Sequence, residues 1–263
     1  MRTGAIADGW RDSPVSAISP HELVMVTDFD GTLAEIVPDP ARAVALPAAL
    51  NALGRLVRRI GKVIVLSSRA PAELEGLVPV PGLRLIGDSG RALPRPAQKR
   101  ALARFNAEAA SLLAAIPGAW LEIKPASSAV HFRNTDRGGD EVLGVMRPLL
   151  ASTRLAAAIG RKVLEVHLPE AGKGSTLTAL LAEMNPGGVV CFGDDENDRS
   201  LFEVAGRLAI PHMCVGVDSA EAPPGLFDRC DLVVSGPEEV AALMNLIADW
   251  AATPGPAGPA PGR

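Results

Sequence analysis

The chain has 263 residues, 48% of them hydrophobic and 21% charged, a globular composition with ample material for a buried core of one large domain or two small ones. Thirty acidic against 26 basic residues give a net charge of −4 with no basic block, and only 3% of residues are aromatic, which argues against nucleic acid or an anionic membrane surface as partners. No segment approaches the ~18 to 20 uncharged apolar residues of a membrane span, residues 1–10 lack the apolar centre of a signal peptide, and Cys191, Cys214 and Cys230 are an odd set without metal spacing, so a cytoplasmic protein with reduced, buried thiols is expected.

In chain order, residues 1–20 mix Gly, Ser, Pro and Asp without periodicity and read as a flexible N-terminus. ELVMVTD is a short apolar strand ending in an acid, and Leu46, Leu50, Leu53, Val57 and Ile60 recur at helical spacing behind it. KVIVLSS repeats the strand signal, PAELEGLV follows as a helix with Pro71 near its start, and LRLIGDSG is a third strand entering a turn. Apolar strands separated by helices predict an α/β fold with a parallel sheet covered on both faces. The grammar then changes. Residues 98–116 are Ala/Leu-rich and helical, AWLEIKP and SAVHFRN alternate like antiparallel strands with one open face, and a helix at 140–152 and strands near Leu155 and at 162–168 complete an α-β-β-α-β-β unit. This predicts an inserted cap at 93–168 within a discontinuous core of 21–92 and 169–252. The core resumes with a helix at 174–184, the strand GVVCFGDD, a helix at 196–205, strands near Leu208 and at 213–217, the strand DLVVSG and a helix at 238–251, and TPGPAGPAPGR at 253–263 reads as a disordered tail.

The chemistry gathers at strand ends. Asp28-Phe29-Asp30-Gly31-Thr32-Leu33 closes the first strand, and four specified residues of this kind recur by chance at about 10⁻⁵ per start position. Alternate residues of an extended segment point the same way, so both carboxylates can converge beyond the carboxyl end of the strand, where open α/β sheets bind ligands. Gly193-Asp194-Asp195-Glu196-Asn197-Asp198 crowds four acids into five positions after another apolar strand. They repel unless cationic charge sits among them, and oxygen-only ligands favour Mg²⁺; Glu196 and Asp198 can equally be acids opposing a helix dipole. Ser67-Ser68-Arg69 and Lys173, between glycines, offer hydroxyls, backbone N–H groups and a fixed cation, the groups a phosphate needs, although Ser67 could equally be a helix cap and Lys173 a solvated side chain.

These four elements, in this order and each after a strand, resemble the haloacid dehalogenase (HAD) superfamily of aspartyl phosphotransferases, whose fold is a Rossmann-like parallel-sheet core with an inserted α+β cap of type C2. The resemblance implies that Asp28 attacks phosphorus, that Asp30 protonates the leaving oxygen and then activates water, and that Ser67, Ser68 and Lys173 hold the phosphoryl oxygens. It further implies Mg²⁺ held by Asp28, the main-chain carbonyl of Asp30 and Asp194, with Asp195 and Asp198 in support.

Within that superfamily, Leu121-Glu122-Ile123-Lys124, Ser128-Ala129-Val130-His131-Phe132-Arg133 and the SSR and GDDEND motifs are similar to the trehalose-6-phosphate phosphatases. Arg69, Glu122, Lys124, His131 and Arg133 would then face the sugar. Glu122 and Lys124 share a strand face suited to sugar hydroxyls, or to a cross-strand ion pair. That family carries a Gly-x-His-Gly-x-Glu turn where this chain has Gly87-Asp88-Ser89-Gly90-Arg91-Ala92. The implied activity is Mg²⁺-dependent hydrolysis of a disaccharide-like sugar phosphate, trehalose 6-phosphate first. A pseudo-disaccharide phosphate such as validoxylamine A 7'-phosphate is the alternative. A catalytically silent sensor or a phosphotransferase would use the same groups, and a monomer or small homo-oligomer is expected.

Overall fold

In the computed structural model, residues 3–90, 96–160, 162–168, 172–219 and 222–253 are described. The chain starts with helix α1 (Thr3–Asp12) and a 3-10 turn at Pro14–Ala17. Strand β1 (Leu23–Thr27), helix α2 (Pro47–Leu56), strand β2 (Lys62–Leu66), helix α3 (Pro71–Leu77) and strand β3 (Arg84–Ile86) follow. The intervening unit is helix α4 (Pro96–Leu113), strands β4 (Trp120–Ile123) and β5 (Ser127–His131), helix α5 (Gly139–Thr153) and strands β6 (Ala156–Gly160) and β7 (Val163–His167). The remainder is α6 (Lys173–Met184), β8 (Gly188–Gly193), α7 (Glu196–Ala205), β9 (His212–Val217), β10 (Leu232–Val234) and α8 (Pro237–Trp250).

Two sheets result. The first is six-stranded, ordered β10-β9-β8-β1-β2-β3 and parallel at every pairing. Its inner strands are buried along their length, β1 and β8 wholly so, because helices cover both faces. Met25, Val63, Val65 and Phe192 pack with Leu53, Leu56 and Met244 on one side, while Val24, Val26, Ile64 and Cys191 pack with Leu177, Leu201 and Phe202 on the other. The second sheet is antiparallel, ordered β4-β5-β7-β6. One of its faces packs Leu121, Val130, Leu164 and Val166 against Phe105 and Met146 of α4 and α5. The period-two alternation leaves the other face to Trp120, Glu122, Lys124, His131 and Glu165.

The switch point fixes where chemistry can occur. From β1 the chain winds outward through β2 and β3, then returns to build β8 on the opposite side of β1, so the carboxyl ends of β1 and β8 are neighbours. Their register sets Thr27 beside Phe192, and Asp28 N–H donates to the Phe192 carbonyl at 3.1 Å.

Two expectations are corrected. Residues 3–17 are packed helix, not a flexible lead: Ile6, Trp10 and Val15 are buried, Trp10 meets Trp250 of α8 edge-on at 5.1 Å, and Trp250 Nε1 donates to the Ser16 carbonyl at 3.0 Å. Leu208 lies in a helix-terminal turn, not a strand. Its N–H donates to the Ala205 carbonyl at 3.1 Å, and Pro211 brings no donor for a ladder, so β9 begins only at His212. Residues 254–263 of the expected tail lie outside the described residues. All three cysteines are free thiols, Cys191 and Cys214 buried and Cys230 partly so. No helix among the described residues is long and apolar enough to cross a membrane.

Candidate active site

Asp28, Asp194 and Asp198 each place a carboxylate oxygen so that the three lie within 4.8 Å of one another, and all three residues are buried. The approach depends on Gly31, which turns the chain after β1 at φ +72°: a Cβ there would fall 1.9 Å from Asp194 Oδ2. Thr32 Oγ1 donates to Asp194 Oδ1 at 3.4 Å. Lys173, at the start of α6 and 2% exposed, reaches Asp28 Oδ1 at 2.8 Å and Asp198 Oδ1 at 2.7 Å. Asp198 Oδ2 accepts the backbone N–H groups of Asp194 (3.1 Å) and Asp195 (3.3 Å), which ties the turn after β8 to the first turn of α7.

Burial pushes the Asp28 carboxyl up to about 7, with Asp198 and Asp30 adding to the rise and Lys173 opposing it. The Lys173 ammonium is held charged: burial pulls its pKa down, but Asp198 and Asp28 outweigh it and the net shift is upward. Three buried carboxylates against one buried ammonium leave net negative charge, and their hard oxygen donors, with no His or Cys among them, fit a hard divalent cation. Asp198 has both oxygens engaged, so it holds Lys173 and the turn in place.

Asp30 is turned elsewhere. Its carboxylate is gripped by Arg69, Nε to Oδ2 and Nη2 to Oδ1 each at 2.8 Å. Arg69 also donates to Glu73 and to the Pro40 carbonyl (2.8 Å), and its guanidinium lies 5.3 Å from the centroid of the Phe29 ring. Arg69 lines the cleft and also holds Asp30 in position. Ser67 Oγ accepts the Arg69 N–H at 3.2 Å, and of the two serines it is Ser68 that lines the cleft.

Across that cleft stands the open face of the antiparallel sheet, bringing Glu122, Lys124, His131 and Arg133 opposite Asp28, Asp30 and Lys173. Glu122 Oε2 lies 2.8 Å from His131 Nε2; a carboxylate only accepts, so the proton belongs on that nitrogen. This contact, then Lys124, lowers the Glu122 carboxyl below its ordinary range despite opposing burial. Lys124 Nζ sits 3.8 Å from Glu122, 3.7 Å from Glu165 and donates to the Ser68 carbonyl at 3.0 Å, so it joins the two sheets. Asp195 caps α7, accepting the Glu196 N–H at 2.6 Å, and abuts Gly160 of the second sheet, where a Cβ would fall 2.4 Å from Asp195 Oδ2. Glu196 stands in the first turn of α7, where an acid opposes the helix dipole, and also pairs with Arg199 at 2.7 Å. Trp120, Lys162 and Glu165 also line the cleft; sequence reasoning passed over Glu165, although the alternation in VLEVH puts it opposite Leu164 and Val166.

Where the family has His, Ser89 is buried at φ +55° with its N–H donated to the Ser67 carbonyl at 2.7 Å. Arg91 and Ala92, at the end of that turn, and Glu170 lie outside the described residues.

A parallel core with acids at the switch point and an antiparallel insert facing them define a HAD-type protein. The chain belongs to the trehalose-phosphatase family, whose model matches residues 26–223. A trehalose-phosphate phosphatase of Mycobacterium tuberculosis (strain CDC 1551 / Oshkosh) is 32% identical over 242 residues, 84% of this chain and 60% of the relative. That of Mycobacterium avium (strain 104) is 35% identical over 196 residues, 67% and 49% of the respective chains. This chain thus spans 60% or less of the length of these two relatives. Among solved structures, the C. albicans trehalose-6-phosphate phosphatase C-terminal domain superposes with a TM-score of 0.72 at 19% identity, covering 95% of this chain and 97% of that one. The Aspergillus fumigatus trehalose-6-phosphate phosphatase gives 0.61 at 20% identity, covering 95% and 98%. At these identities the superpositions establish likeness of fold.

Proposed function

We propose that this chain is a Mg²⁺-dependent phosphoric monoester hydrolase that converts trehalose 6-phosphate to trehalose and phosphate. The single observation that carries the reading is the placement of the buried Asp28–Lys173–Asp198 group, with Asp194 beside it, opposite a polar sheet face across one cleft. The names of the relatives favour trehalose 6-phosphate over the pseudo-disaccharide phosphate.

In this reading an oxygen of Asp28 attacks phosphorus and the bond from phosphorus to the sugar oxygen breaks. Asp30 delivers a proton to that leaving oxygen, forming the sugar alcohol and an aspartyl phosphate. Asp30 then takes a proton from water, whose oxygen attacks the same phosphorus; phosphate leaves and Asp28 is restored. Lys173 and Ser68 or Ser67 hold the phosphoryl oxygens while charge redistributes, and Lys173 needs no reorganisation because two carboxylates already fix it. Mg²⁺, held by Asp28, Asp194 and the Asp30 carbonyl, would supply positive charge that screens the approach of a carboxylate to a phosphate dianion. Glu122, Lys124, His131 and Arg133 bind the sugar, and the second sheet keeps bulk water from the phosphoenzyme as it forms. The family relationship and the family-like core residues support hydrolysis over a silent sensor.

The test is phosphate release from trehalose 6-phosphate, glucose 6-phosphate, glycerol 3-phosphate and validoxylamine A 7'-phosphate, with Mg²⁺ and with excess chelator. Mg²⁺-dependent release with highest kcat/KM for trehalose 6-phosphate is expected. Preference for validoxylamine A 7'-phosphate would overturn the substrate, and release indifferent to chelator would overturn the metal.

A further inference from the structure

Trp120 stands at the amino end of β4 on the cleft face of the antiparallel sheet, 46% exposed. The packing face of that sheet belongs to Leu121 and its neighbours, so the indole contributes nothing to the hydrophobic core formed with α4 and α5. A single half-exposed ring is ordinary by itself, but this one lines the cleft that holds Asp28 and Lys173. The antiparallel register sets Trp120 opposite His131, and the two rings stack with centroids 3.9 Å apart and planes 7° from parallel. His131 is in turn fixed edge-on by Glu122, at 2.8 Å. One indole face is therefore covered by His131, and the ring lies two residues from Glu122 on the same face of β4 and four from Lys124 just beyond its end.

We propose that Trp120 is a stacking platform for a pyranose ring of the substrate, and that it makes the cleft selective for cyclic sugar phosphates over acyclic ones; this rests on the phosphatase reading above. A pyranose has a face of C–H bonds and a rim of hydroxyls. The electron-rich indole face attracts the positively polarised C–H groups, while Glu122 accepts from and Lys124 donates to the rim. An acyclic ester such as glycerol 3-phosphate has no comparable face to lay on the ring. The His131 stack and the Glu122 contact behind it preorganise the platform, so little ordering is left for the binding step.

Trp120 is also its own reporter, because the other two tryptophans, Trp10 and Trp250, are packed against each other beside the parallel sheet. The full chain carrying Asp28→Asn, expected to bind without turning over, is titrated with trehalose 6-phosphate and with glycerol 3-phosphate while indole emission is followed. The sugar phosphate is expected to shift the emission, the glycerol ester not to, and the shift is expected to vanish in Asp28→Asn/Trp120→Phe. In steady state, Trp120→Ala is expected to raise KM for trehalose 6-phosphate and glucose 6-phosphate by roughly tenfold more than for glycerol 3-phosphate, with Trp120→Phe restoring most of the difference. Equal changes for cyclic and acyclic substrates, or an emission shift that survives Trp120→Phe, overturn the platform. If the unaltered chain cleaves glucose 6-phosphate but not trehalose 6-phosphate, the disaccharide reading fails while the comparison of glucose 6-phosphate with glycerol 3-phosphate still decides Trp120.

Discussion

Arg69 holds both carboxylate oxygens of Asp30, at 2.8 Å each, while the same guanidinium is anchored to Glu73 and to the Pro40 carbonyl. Two parallel N–H···O bonds specify the plane as well as the place of the acid, which a lysine could not do. Arg69→Lys is expected to lower kcat by up to ~100-fold through misplacement of Asp30, leaving KM within about threefold. Steady-state phosphate release measures both, and a change confined to KM would assign Arg69 to the sugar site.

Asp28→Asn removes the nucleophile without changing its shape, so turnover should fall at least ~10³-fold. Lys173 keeps Asp198 at 2.7 Å, and the fold should therefore persist, which a thermal melt followed by circular dichroism checks. Activity close to that of the unaltered chain would remove the covalent step.

The Asp28 carboxyl titrates at about 7 because burial opposes its charge more than Lys173 favours it. An acid raised in the folded state gives a stability contribution that is full below its ordinary pKa of 3.8 and is lost as pH rises through about 7. A cation at Asp28 must displace that proton, so the affinity for Mg²⁺ should weaken about tenfold per pH unit below 7 and level off above it, with proton release on binding in the acid range. Calorimetric titration in buffers of differing ionisation enthalpy reads both quantities. Affinity that does not change from about pH 5.5 to 8 would mean that the cation displaces no proton at Asp28. Asp194→Asn should weaken binding across the whole range.

Glu122→Ala deletes an acceptor that His131 and Lys124 hold in its charged form, while Lys124 keeps Glu165 at 3.7 Å and the Ser68 carbonyl at 3.0 Å. A charged hydrogen-bonding group at a sugar hydroxyl is worth ~10- to 100-fold. The expected result is a KM for trehalose 6-phosphate raised by that factor, with a much smaller change for glycerol 3-phosphate. Equal losses on both would mean that Glu122 only braces the sheet.

Lys173 is singled out by the family resemblance; the sequence by itself determined the alternation of strand and helix, the antiparallel insert, and the acids after β1 and β8. These follow from local causes: apolar runs of strand length, period-two alternation, and charge crowded beyond what a solvated turn tolerates. Tertiary structure decided the rest. The helix at Thr3–Asp12 buries only Ile6 and Trp10 among the described residues, too few apolar positions to show a helical period, and it packs on α8, whose Trp250 lies 240 residues beyond Trp10. Arg69 belongs to Asp30, Trp120 faces the cleft beside His131, and Asp198 clasps Lys173 because the sheet order brings distant strand ends together. Such pairings are properties of topology and register, which spacing along one chain does not encode.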